Sequence, residues 1–188
     1  MGLRDVIFGK KKLSEPQDDR LFALTTAAVT LQVELGLRTA GVGAISFKPQ
    51  SSGEFRSAFD DIDKLVDAVA QSSGSQVERE SDEYGYDWVI VRDPDLEDLV
   101  TAVHGISSGL TEQGFGAQLL AAAFKFDGGE HPVYWIYGFK RGTFWPFIPC
   151  GEQKRDNAAE LELKAKLEKE LPVEQDLTRW LALFDAPI

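Results

Sequence analysis

Apolar residues along this chain switch between two periods, and the switches outline its elements. Val133, Trp135 and Tyr137 alternate with Tyr134 and Ile136, and residues 143–148 are again aromatic and β-branched. Two facing strands joined through Phe139, Lys140, Arg141 and Gly142 are predicted, with Gly142 supplying the positive φ of the turn. Pro146 and Pro149 lack ladder donors and place the second strand at a sheet edge. Residues 76–80 and 86–92 read as another strand pair, with Trp88 and Ile90 on one face and Val89 and Val91 on the other. Residues 42–48 and 119–126 are further strands.

Helical spacing marks the segments between them. Phe55, Phe59, Ile62, Val66 and Val69 form a stripe over residues 54–71. Leu96, Leu99, Val100, Val103, Ile106 and Leu110 form another, opened by Asp93 as N-cap with Pro94 in the first turn and closed by Gly114. Asn157 followed three residues later by Glu160 predicts a reciprocal cap and a helix carrying Leu163, Leu167 and Leu171 on one flank. Pro172 stops it. Leu177, Trp180, Leu181 and Phe184 then fall at i, i+3, i+4 and i+7, predicting a second short helix.

Residues 21–35 fit both periods. Val29, Leu31, Val33 and Leu35 alternate, while Leu21, Leu24, Ala28, Leu31 and Leu35 keep helical spacing. The Ala-rich start and Gly36 as a C-terminal cap favour helix. The resulting class is α+β, a mainly antiparallel sheet covered by helices. Residues 19–188 read as one domain after an N-terminal basic segment and linker at residues 1–18. A helix, a Gly-containing entry and a strand occur in that order at residues 21–47 and 96–126, which suggests a two-half pseudo-repeat.

Composition narrows the function. The chain has 188 residues, enough for one substantial core, with 43% hydrophobic and 11% aromatic residues. Its 31 acidic against 20 basic side chains give a net charge of -11, which repels a phosphate backbone and argues against nucleic acid as a partner. No apolar run approaches the roughly 20 residues that cross a bilayer, so a cytoplasmic protein is expected. Leu3, Val6 and Ile7 beside Lys10, Lys11 and Lys12 form a short amphipathic turn able to touch an anionic membrane surface. The more economical reading is a docked turn with a solvated basic tail.

Candidate chemistry is sparse. Cys150 is the single cysteine, and with only His104 and His131 beside it no zinc site is indicated. Asp60, Asp61, Asp63 and Asp67 lie on a continuous helical pattern and read as a solvated face rather than a cation loop. No phosphate loop, nucleophile elbow or dinucleotide fingerprint occurs, so no cofactor is expected and an enzyme is not. The remaining catalytic candidate is the set Lys140, Arg141, Arg155 and Asp156 beside the aromatic hairpin, a cation pair near an aspartate suited to a phosphate or carboxylate. An interaction surface uses these residues better, because Trp, Tyr, Phe and Arg anchor protein interfaces. The partner-binding residues expected are Lys140, Arg141, Phe144, Trp145, Phe147, Arg155, Asp156 and Trp180.

The stretches KRGTFWPFIP, QKRDNAAELE and ELPVEQDLTRWLALF, at residues 140–149, 153–162 and 170–184, resemble the C-terminal signature of the actinobacterial PspA-associated protein PspAB family. Phe22 to Leu24, residues 27–31, residues 43–47, residues 86–89 and Gly114-Phe115-Gly116 are similar in order and spacing, so the resemblance spans nearly the whole chain. It implies an accessory cytoplasmic protein of a phage-shock-type envelope stress response, partnered by a PspA-like coiled-coil protein, and implies no molecular activity. A looser likeness to YbjN-like proteins and type III secretion chaperones implies a shape more than a function. On that likeness the alternative is a small homodimeric chaperone holding an amphipathic segment.

Overall fold

The computed structural model describes residues 17–48, 64, 67, 68, 70, 71 and 74–188. The basic segment at residues 1–12 and the stripe Phe55, Phe59, Ile62, Val66 and Val69 lie outside the described residues; Lys64, Asp67, Ala68, Ala70 and Gln71 are helical. A helical run opens the described chain, with a 3-10 turn at Asp18–Phe22, α1 at Ala23–Thr26 and a π turn at Thr30–Glu34. Leu21, Leu24, Ala27 and Leu31 are buried while Val29 and Val33 are exposed, so helical spacing, not alternation, describes this stretch. Gly36, at φ 66°, ends it.

The strands are β1 (Arg38–Phe47), β2 (Gln76–Ser81), β3 (Asp87–Arg92), β4 (Leu119–Asp127), β5 (Val133–Gly138) and β6 (Thr143–Phe147). They pair antiparallel throughout in the order β2-β3-β1-β4-β5-β6, the α+β architecture the pattern predicts. A two-stranded ribbon, β7 (Pro149–Gly151) with β8 (Lys154–Arg155), follows. The β5–β6 hairpin turns at Gly142, whose φ is 65°. A side chain there would also drive a Cβ to 2.9 Å from the Cβ of Gln17, because the chain entering the domain packs on this turn.

Pro146 sits on an edge strand, as its missing donor demands. That edge is not bare. The Phe144 N–H donates to the Pro172 carbonyl at 2.9 Å and the Glu174 N–H to the Phe144 carbonyl at 2.8 Å, so residues 172–174 cover it. At the opposite edge β2 presents exposed Glu78, Arg79 and Glu80, charges that discourage pairing with another strand.

Helix α2 (Leu96–Glu112) packs across β1 and β3 and buries Leu99, Val100, Val103, Ile106 and Leu110. Its cap is Asp95 rather than the expected Asp93. The Asp95 carboxylate accepts the N–H groups of Glu97 and Asp98 at 2.8 and 3.2 Å. Asp93 is buried, accepting from the Ser75 hydroxyl at 2.7 Å and the Asp95 N–H at 2.9 Å, an Asx turn that hands the capping position on by two residues. Asp95→Ala is expected to lower stability by about 1 kcal/mol, read as a shifted midpoint with unchanged slope in urea unfolding.

Helix α3 (Asn157–Leu167) starts where expected, but Asp156 is its N-cap, accepting the Ala159 N–H at 3.0 Å. Glu160 turns inward instead of back to the cap. Leu163, Leu167 and Leu171 are buried, and Glu162 pairs with Lys166 at 2.6 Å. The predicted second helix is absent: Leu177–Arg179 makes one 3-10 turn, and residues beyond it run irregularly across the sheet. Leu177 and Leu181 are exposed, so no continuous buried stripe exists there.

Candidate functional site

The two faces of the sheet are closed by different means. Ile45, Phe47, Val89, Val91, Ala122 and Phe124 join the large core beneath α2 and the opening helical run. On the other face Val42, Ala44, Trp88 and Ile90 form a smaller cluster against Leu183, Ala186 and Ile188. The C-terminal residues thus serve as a strap, held at several points. The Trp180 indole donates to the Glu174 carbonyl at 2.9 Å and the Trp145 indole to the Leu181 carbonyl at 2.9 Å. Phe184 meets Phe147 edge-on at 5.1 Å, and the Tyr134 hydroxyl donates to the Ile188 carbonyl at 3.0 Å.

The strap leaves one end of that face open. There the strand register aligns Trp88, Ser46, Ala121 and Gly138 in a row across β3, β1, β4 and β5. Two small residues, Ser46 and Ala121, make a shallow floor, while Trp88 and Trp145 rise at its sides. The Trp145 ring lies over Gly138, where a Cβ would stand 3.0 Å from it. The resulting groove encloses about 550 Å³ and is completed by Tyr86, Ala117, Leu119, Leu120 and Leu181 to Leu183. Leu120 and Leu181 are 42% and 64% exposed, unusual for leucine beside two indoles.

Trp88 is fixed from behind. Its indole donates to Asp82 Oδ2 at 2.9 Å, and Asp82 Oδ1 accepts the N–H groups of Tyr84 and Tyr86, each at 2.9 Å. Burial pushes the Asp82 carboxyl up, but the hydrogen bonds from Trp88, Tyr86, Tyr84 and Gly85 outweigh it and hold the group below its ordinary range. The turn between β2 and β3 is therefore a brace for one wall of the groove.

Charge is distributed unevenly around it. The charged side chains lining the groove are Lys48 and Lys140. A smaller adjoining hollow beside the hairpin turn shares Lys140, Trp145 and Leu181 and adds Arg141, Arg179 and Glu174. Glu174 is largely buried and stands 3.8 Å from each of the two arginines, so it neutralises part of their charge.

The eight residues expected to meet a partner separate into three groups. Lys140 and Arg141 are exposed on the turn. Phe147 and Trp180 are buried with the strap, Phe144 is buried on the helix-covered face against Tyr137, and Trp145 lines the groove while only 6% exposed. Arg155 and Asp156 are committed internally. Arg155 Nε donates to both Glu160 oxygens at 3.0 and 2.9 Å, Nη1 to the Trp180 carbonyl at 2.7 Å, and the guanidinium stacks 5.3 Å from the Phe147 ring centre. The hollow by the turn is lined by Lys140 and Arg141 but not by Arg155 or Asp156, so the four polar residues do not converge on one reacting centre.

Glu160, which pattern reading assigned to a cap, is the buried partner in this arrangement. It is 1% exposed and also accepts the Ile148 N–H at 2.9 Å. Burial raises its carboxyl above the ordinary value, opposed by the Arg155 hydrogen bonds, the Ile148 N–H and the Arg155 charge and abetted by the Asp156 charge. His104 stands near Asp19 and Ser108, but both oxygens lie 3.4 Å from the same ring nitrogen. A proton relay needs its acid and its nucleophile on different nitrogens, so this trio is not a catalytic triad. Pattern reading missed Lys48, Trp88, Leu120 and the small-residue floor. Only Trp88 carried a signal, as an aromatic on the face opposite Val89 and Val91.

What the fold defines is an α+β domain with one six-stranded antiparallel sheet, lidded by helices on one face and strapped by its own C-terminal residues on the other. The chain belongs to the PspAB family, PspA associated protein B, whose model matches residues 1–188. Membership makes it an accessory protein linked to PspA. No curated protein and no solved structure matches the chain. Among the described residues no helix is long and apolar enough to cross a membrane, and no cluster of three or more His, Cys, Asp or Glu is placed to hold a metal ion.

Proposed function

We propose that this chain is a non-enzymatic adaptor of a PspA-type envelope stress response and that it holds its protein partner in the groove between Trp88 and Trp145. The observation that carries the reading is the groove itself. The strap covers the apolar cluster of Val42, Ala44 and Ile90 on that sheet face, yet Leu120 and Leu181 stay exposed beside two indoles. Aromatic and aliphatic side chains ringed by cations are the make-up of interface centres. The aromatic hairpin contributes to this role differently from its sequence pattern. It builds the scaffold and one wall, while Lys140 and Arg141 mark the rim.

Strand addition is disfavoured as the mode of contact, because one sheet edge is covered by residues 172–174 and the other is charged. A helix or loop laid in the groove suits the surface better. The test is binding of a purified PspA-type coiled-coil protein to the full chain and to Leu181→Glu. Leu181 is mostly solvent-exposed, so the fold tolerates the change. Binding is expected to weaken at least about tenfold, the effect of losing one interface anchor; unchanged affinity overturns the reading.

A further inference from the structure

We infer that the groove's occupant is an amphipathic helix carrying carboxylates along one flank, an inference that rests on the groove being the partner site. Charge is the first argument. In a chain of net charge -11, the charged side chains lining the groove and its adjoining hollow are Lys48, Lys140, Arg141 and Arg179 against Glu174 alone. Glu174 is mostly buried between the two arginines and Asp176 stands 3.1 Å from Arg179, so these carboxylates offset the arginines; the charge on the groove's own walls is that of Lys48 and Lys140, in a molecule that is acidic as a whole. A basic or neutral partner gains nothing from that placement, whereas an acidic one is drawn to it.

Geometry is the second argument. The groove runs across the strands, from Trp88 on β3 over Ser46 and Ala121 to the Trp145 ring that covers Gly138 on β5. Three strand spacings of about 4.8 Å give roughly 14 Å, the length of about ten helical residues at 1.5 Å each. Small residues below and large ones at the sides are what a cylinder needs in order to settle against a sheet. Lys48 follows the end of β1 and Lys140 the end of β5, the two strands that flank β4. Their backbones are therefore two strand spacings apart, roughly 10 Å. Residues seven apart on a helix are separated by about 10.5 Å. One helix face thus presents its apolar stripe to the indoles and two carboxylates, two turns apart, to the two lysines.

The experiment measures association and dissociation of the PspA-type coiled-coil protein with the full chain, Lys48→Glu/Lys140→Glu and Leu181→Glu, over a range of salt. Circular dichroism and melting temperature check that each variant is folded. Charge reversal at a rim acts mainly on encounter, so the double lysine variant is expected to associate at least about tenfold more slowly at low salt and to lose most of the salt dependence. Overlapping peptides of the same partner identify the segment. The one that binds is expected to have an apolar stripe with Asp or Glu seven residues apart, and replacing those two with Lys is expected to restore binding to the double lysine variant. If the lysine variant associates at the wild-type rate while Leu181→Glu loses binding, the groove is the partner site but its occupant is not acidic, and this inference falls alone. Wild-type binding by Leu181→Glu removes both readings. Lysine-dependent capture by anionic phospholipid vesicles, with no binding of the coiled-coil protein, overturns the inference in favour of a lipid surface.

Discussion

Replacing Arg155 with Met is expected to destabilise the protein by about 3–5 kcal/mol, the usual result of removing one member of a buried ion pair. The side chain ties together three segments at one point. It reaches Glu160 on α3, the Trp180 carbonyl at the start of the strap, and the ring of Phe147 on β6. Met fills much of the volume but supplies no donor, so Glu160 loses its counter-charge while remaining 1% exposed. Urea unfolding followed by tryptophan fluorescence reads the loss. A change below about 1 kcal/mol, the scale of a surface pair, would mean that Arg155 is dispensable to the fold.

The same pair dictates how the loss varies with pH. The folded-state value of Glu160 lies above that of the unfolded chain because burial dominates. A raised value means that the folded protein binds the proton more readily. The contribution of this group is therefore complete below about pH 4.5, where an unfolded Glu protonates, and is lost as pH rises through the folded value. Removing Arg155 takes away two of the influences that oppose burial and raises the value further. The gap between wild type and Arg155→Met is thus expected to be widest near neutrality and to narrow toward pH 4.5. Adding Glu160→Gln to Arg155→Met is expected to recover part of the stability at neutral pH. A gap that stays constant with pH would assign the loss to packing alone.

These residues also show what was legible before the fold was known. The β5–β6 hairpin was, because alternation, a turn glycine and two prolines all agree on it locally. Helix α3 was legible in extent but not in its cap. Asp156 and Asn157 are equally good cap residues, and the choice depends on Glu160 being drawn inward by Arg155 and the Ile148 N–H, contacts made by tertiary structure. The pattern at Leu177, Trp180, Leu181 and Phe184 is helical in spacing, but a segment so short cannot hold a helix by itself. Its Leu181 carbonyl is taken by the Trp145 indole, and its aromatics are used one at a time to pin a strap.

The aromatic pattern of the hairpin does not say which of its side chains the rest of the chain covers. Phe144 and Tyr137 face the helix-covered side, while Trp145 and Phe147 face the strap, and the strap seals most of what they present. The groove has no local signature. Ser46, Ala121 and Gly138 are ordinary small residues until β1 pairs with the sequence-distant β4 and sets them in one row. Lys48 and Lys140 become neighbours only through β4 lying between their strands. A site made by register is readable only once register is known.

Gly128→Ala is expected to be the second severe substitution, and it acts on that register. Gly128 follows β4 with φ 129°, a conformation that side chains rarely adopt and that costs an alanine about 1–3 kcal/mol. An added Cβ would lie 2.1 Å from the Gly36 carbonyl oxygen and 3.3 Å from the Leu37 Cα, both backbone atoms that no rotamer change can clear. Relieving the overlap moves the junction between the opening helical run and β1, at about a further 1–3 kcal/mol. That is a large share of the roughly 5–15 kcal/mol that stabilises a typical domain. Gly129→Ala is the matched control, since its Cβ would meet only the His131 carbonyl oxygen at 3.5 Å. Thermal unfolding is expected to place Gly129→Ala near wild type and Gly128→Ala well below it; equal midpoints would show that the β4–β5 turn moves freely against residues 36–37. Arg38 pairs with Asp127 at this end of the β1–β4 ladder, and Ser46 pairs with Ala121 near the other. A strand pair loosened here is therefore also expected to blur the groove floor, seen as weaker binding of the coiled-coil protein at temperatures where most of the chain is still folded.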